Sequence, residues 1–77
     1  MRAGDAPLAE SYFRKALILD SKGYDYHYGL GQALAASGHQ DEAKDEYREE
    51  LRLHPENPNA IAQLNGEVFQ QPRATKQ

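Results

Sequence analysis

Residues 24–57 read YDYHYGLGQALAASGHQDEAKDEYREELRLHPEN. Two segments with apolar residues spaced by three and four are divided there by Ser37-Gly38 and closed by His54-Pro55. That punctuation predicts helix, tight turn, helix. Part of the stretch repeats what precedes it. At an offset of 34, Gly4 falls on Gly38, Ala9 on Ala43, Phe13 on Tyr47, Arg14 on Arg48, Leu17 on Leu51 and Leu19 on Leu53. A fixed period of about 20 to 50 residues marks an architecture whose units bury their apolar faces only by stacking on neighbours. Such a chain is expected to bind rather than to catalyse.

Working outward from the central pair, four helices are expected. The first covers about 6–19, with Asp5 as N-cap and Pro7 in the first turn, where its missing amide hydrogen costs nothing. Its apolar face is Ala9, Phe13, Ala16 and Leu17, and Gly23 is the expected left-handed residue behind it. The second, about 25–36, buries Tyr26, Leu30, Ala33 and Leu34. Gly29 and Gly31 inside it each cost about 1 kcal/mol relative to alanine, which asks for close approach of a neighbouring helix backbone. The third, about 41–53, sets Ala43, Tyr47, Leu51 and His54 against a face of Glu42, Lys44, Asp45, Arg48, Glu49 and Arg52. The fourth, about 58–70, is capped by Asn57, opens on Pro58 and carries Ile61, Leu64 and Val68. Connections this short force consecutive helices to run antiparallel. The organisation expected is one all-α domain over residues 1–71, with residues 72–77 as a frayed tail.

Seventy-seven residues allow one small domain that buries only about 60% of its unfolded surface. No cysteine is present, so neither disulfides nor a thiolate zinc site reinforces the core. Twelve acidic residues against nine Lys and Arg give a net charge of −3, without the basic footprint of a nucleic-acid binder. The longest apolar run, Ala16 to Leu19, is far short of a membrane span, and no apolar leader opens the sequence. A soluble chain is expected, and the absence of a leader and of cysteine favours the cytoplasm without fixing it.

The central stretch resembles one tetratricopeptide repeat. Leu30-Gly31, Leu34, Gly38, Ala43, Tyr47 and Pro55 stand in the order and spacing of that family. Residues 4–23 resemble the second half of a preceding repeat, and residues from 58 to about 70 the first helix of a following one. The resemblance implies antiparallel helical hairpins stacked as a right-handed superhelix, an α-solenoid fragment that serves as a protein-interaction scaffold. Three positions depart from the pattern: His27 for the usual tryptophan, Glu50 for a small alanine and Asn65 for glycine. The first two imply a looser central pair, and the third suits a terminal helix with no complete partner after it. On the first helix, Leu8, Tyr12 or Phe13 is expected to lack a cover.

Chemistry of other kinds is poorly supported. His27, His39 and His54 lack the paired spacing of a zinc site, and Glu50 with His54 is as well explained by a surface helical pair. No serine or threonine has an evident base, and the Asp41-Glu42, Asp45-Glu46 and Glu49-Glu50 pairs read as a solvated charged face. Gly29-Leu30-Gly31 lacks the ending of a phosphate loop. No catalytic residue, metal site, cofactor or enzyme activity is expected.

Tyr24, Tyr26 and Tyr28 cannot share one helical face: Tyr26 is expected to point inward with Leu30, and Tyr24 and Tyr28 to lie together elsewhere. In the resembled family the first helix of each pair lines a concave groove, which implies Asp25, Tyr28, Gln32, Asn59 and Gln63 as groove residues here, with Ala62 and Gly66 alongside. A tyrosine among amides suits peptide recognition; the alternative, of equal weight, is that Tyr24 and Tyr28 only shield helix packing. The carboxylate clamp that some members use needs Lys and Arg where these residues stand, so an uncharged or basic peptide fits better than an acidic tail. Two other roles follow from the same pattern. Exposed terminal helices allow a homo-oligomer, dimer or filament, and the chain also fits an accessory segment of a larger protein.

Overall fold

Asp5 closes a short 3-10 turn, Ala3–Asp5, that runs straight into helix α1 (Ala6–Leu19). Its backbone is already helical (φ −93°, ψ −8°) and its side chain makes no capping hydrogen bond, so Pro7 alone marks the start. The computed structural model describes residues 3–64. It continues with α2 (Tyr26–Ala36), α3 (Gln40–Leu53) and α4 (Pro58–Leu64). Among the described residues every regular element is helical. The expected continuation of α4 to residue 70, with Asn65, Gly66 and Val68, and the tail at 72–77 lie outside the described residues.

Helices α1 and α3 are both 14 residues long and sit 34 positions apart end for end. Consecutive helices pack in turn, α1 on α2, α2 on α3 and α3 on α4. The α2–α3 turn is closed by a Schellman motif. His39 N–H donates to Leu34 O (2.8 Å) and Gly38 N–H to Ala35 O (3.0 Å), with Gly38 at φ +89°.

The α1–α2 connection departs from expectation. Asp20 ends α1 in extended backbone, Gly23 does not take the left-handed conformation, and Asp25 does, at φ 69°. Gly23 is required for space instead: a Cβ there would fall inside the ring of Tyr26. That placement lays Tyr26 over the turn rather than in the core, and it is Tyr28 that packs on the core cluster.

Leu30, Leu34, Ala43, Tyr47 and Leu64 form that cluster, with Phe13, Leu17, Tyr28, Ala35 and Leu51 packed against it. Helix α2 is covered on two sides, by α1 and by α3, so its buried set includes Gly29 and Gly31 beside Leu30, Ala33 and Leu34. The two glycines admit aromatic rings rather than chiefly a helix backbone. A Cβ on Gly29 would land in the Phe13 ring; one on Gly31 would lie 2.5 Å from Tyr47 Cε1 and 3.0 Å from the Ala43 carbonyl oxygen. On α1 only Ala6 is fully buried. Phe13 is partly covered by α2, whereas Leu8, Tyr12, Ile18 and Leu19 are exposed.

Candidate interaction groove

The groove is built around the start of α2, and Glu50 fixes that start. With Asp25 in the left-handed region its own side chain makes no capping bond, which leaves the first amides of α2 without an acceptor. Glu50 of α3 supplies it. One carboxylate oxygen accepts from Asp25 N–H (2.9 Å), and the other from His27 N–H (3.1 Å) and Tyr28 N–H (3.3 Å). Glu50 is 0% exposed, and its negative charge meets the positive end of the α2 dipole. The expected helical pair of Glu50 with His54 is present, but Glu50 is buried rather than on the surface. His54 Nε2 donates to Lys22 O at 2.9 Å and stays 4.0 Å from Glu50.

Asn57, also fully buried, joins the network from the other side. Its Nδ2 donates to Glu50 (2.9 Å) and to Asp25 Oδ1 (2.7 Å), while its Oδ1 accepts from Asn59 N–H (2.9 Å) as the N-cap of α4. His27 adds a further tie, with Nδ1 donating to Glu46 Oε1 at 2.7 Å. The two departures from the repeat pattern, His27 and Glu50, thus bind α2 to α3 through hydrogen bonds. The looser central pair expected from them is not found, because a buried carboxylate with several donors acts as a tether.

In front of this frame lies an open cavity of about 390 Å³ lined by Phe13, Tyr24, Asp25, Tyr26, Tyr28, Gly29 and Gln32. Three of the anticipated groove residues, Asp25, Tyr28 and Gln32, share it. Asn59 reaches its edge, with Nδ2 3.4 Å from Asp25 Oδ2, and Gln63 stands exposed on α4 outside the lining. Gln32 Nε2 donates to the Tyr28 hydroxyl, and the Tyr28 ring lies 5.8 Å from that of Tyr47. Tyr24 packs edge-on against His54 at 5.1 Å. Its hydroxyl pKa is raised, first by desolvation and then by the charges of Asp25, Glu56 and Glu50. Phe13, which also lines the cavity, is legible in the sequence only as a core residue of α1; the signal that its ring reaches α2 there is Gly29, whose missing side chain admits it.

Among the described residues no group of three His, Asp or Glu side chains is arranged to hold a metal ion. No helix among them is long and apolar enough to cross a membrane. The charged face of α3 pairs internally, with Arg48 Nη1 3.0 Å from Asp45 and Arg52 Nε 2.9 Å from Glu49. The Glu49 carboxyl is held below its usual range by that Arg52 hydrogen bond.

Helix, Schellman turn and helix, with small residues at the crossing and a 34-residue period, coincide with residues 24–57, which match the family described as Tetratricopeptide repeat. This chain carries a tetratricopeptide repeat. Its first helix is α2 and its second α3; α1 precedes it and α4 follows it in the chain. Neither a curated protein nor a solved structure matches the chain. Tetratricopeptide repeats as a family mediate protein–protein interaction.

Proposed function

We propose that the chain is a non-catalytic interaction module that takes a peptide or an exposed segment of a partner protein in the groove at the start of α2. The observation that carries this reading is the composition of the cavity. Aromatic walls from Phe13, Tyr24 and Tyr28 stand beside the Gln32 amide and the Asp25 carboxylate. Rigid aromatic surface gives contact area at small entropy cost, and a few fixed polar groups orient a backbone. Asp25 gives the groove an acidic edge, already satisfied in part by Asn57 and Asn59, which favours an uncharged or basic segment. Gln63 would extend contacts along α4.

A displayed library of random peptides, selected on the chain and counter-selected on a Tyr24→Ala, Gln32→Ala double variant, tests this. Both positions are at least partly exposed, so the fold is expected to survive, with circular dichroism as the check. Peptides low in acidic residues should enrich on the parent chain and lose at least tenfold in affinity on the variant. Enrichment that is equal on both, or none at all, overturns the groove as the binding site.

A further inference from the structure

The 34-residue register assigns a partner to the exposed face of α1. In the central repeat, α3 packs against α2 with Ala43, Glu46, Tyr47 and Glu50, and Glu46 is joined there to His27. The equivalent positions on α1 are Ala9, Tyr12, Phe13 and Ala16. Phe13 is turned partly toward α2, but Tyr12 is 68% exposed. Beside it a hollow of about 310 Å³ is lined by Tyr12, Lys15, Ala16, Leu19, Asp20 and Tyr26. The face that α3 uses to hold its helix partner is thus only partly covered on α1, with Tyr12 exposed at its centre, and what fits it is a helix equivalent to α2.

Helix α4 is such a helix. It lies 34 positions beyond the α2 region, and its Ile61, the equivalent of His27, is 42% exposed. Two of the substitutions at the ends answer each other, while Asn65 stands where the repeat has Gly31, the residue that seats the Tyr47 ring. The polar pair His27 with Glu46 inside the repeat becomes Ile61 with Tyr12, apolar on both sides. Glu50, which α2 needs because its first amides have no other acceptor, becomes Ala16. The amides of α4 do not need that carboxylate, because Pro58 has no N–H and Asn57 caps Asn59. We propose that copies of this chain stack head to tail, with α4 of one copy packing on α1 of the next to rebuild the α2–α3 pairing. A heterologous contact of this kind generates an open series rather than a closed dimer. It uses neither Tyr24 nor Gln32 and stands apart from the groove.

Sedimentation velocity on the full chain from micromolar to millimolar concentration tests the proposal. The weight-average mass should climb with concentration past that of a dimer. Tyr12→Lys and Ile61→Lys, both at exposed positions, should each reduce the mass to that of one chain while helical circular dichroism is kept. Mixed together they should give a dimer and nothing larger, because each variant retains one intact end. A concentration-independent monomer, which would mean that another helix or a different partner covers α1, overturns the proposal. So does association that survives either variant.

Discussion

Removing the Glu50 carboxylate strands three backbone N–H groups at the start of α2 and one amide hydrogen of Asn57 in a place where neither Glu50 nor Asn57 touches water. A buried donor left without an acceptor costs about 1 to 3 kcal/mol, and the stranded donors sit on one rigid helix start. Glu50→Ala should therefore destabilise the chain by about 3 kcal/mol or more, read as a drop in the urea midpoint. Glu49→Ala, one residue earlier on an exposed pair with Arg52, should shift it by less than about 0.5 kcal/mol. The sequence carried the distinction without announcing it. Glu50 is seven residues from Ala43 and three from Tyr47, on the buried stripe, whereas its carboxylate suggested the charged face. What the sequence does not contain is the demand it answers, the left-handed Asp25 and the orphan amides behind it, which exist only once α2 and α3 are paired.

At the level of the elements, pairing is set by rings seated on missing side chains. Gly31→Ala gains about 1 kcal/mol of helix propensity but drives a Cβ against Tyr47 and the Ala43 carbonyl, and overpacking against backbone costs about 1 to 3 kcal/mol. A net loss of about 1 kcal/mol in thermal or urea unfolding is expected, recovered in part by Tyr47→Leu in the same background. Tyr47 also sets a pH limit. Burial raises its hydroxyl pKa, and the neighbouring Tyr28 raises it further. A raised folded-state pKa contributes stability that is complete below the unfolded value of about 10 and is lost as pH climbs through the folded value. Urea midpoints should fall above roughly pH 10, with a shallower fall in Tyr47→Phe. A parallel fall in the two chains would remove Tyr47 as the cause. The four helices themselves follow from period, glycine and proline, which act locally. The Tyr26 and Gly23 placements do not, because they depend on how α1 and α2 cross.

For the molecule as a whole, packing passes from each helix to its neighbours in the chain, α1 to α2, α2 to α3 and α3 to α4. Stability in such a stack is close to a sum of unit and nearest-neighbour contributions. Helices α2 and α3 each have a neighbour on both sides and share the Glu50 network; among the described residues α1 packs chiefly on α2, and α4 chiefly on α3. Amide hydrogen exchange should accordingly be slowest in α2 and α3 and faster in α1 and α4 in dilute solution, since local opening follows the density of buried contacts. If copies stack through α4 and α1, mass action adds a neighbour at each end as concentration rises. The two flanking helices should then gain protection while α2 and α3 change little. Uniform protection of all helices in dilute solution would mean that the stack opens as one unit and that the ends need no neighbour. A gradient that ignores concentration would leave nearest-neighbour packing intact and remove the second copy as the cover for α1.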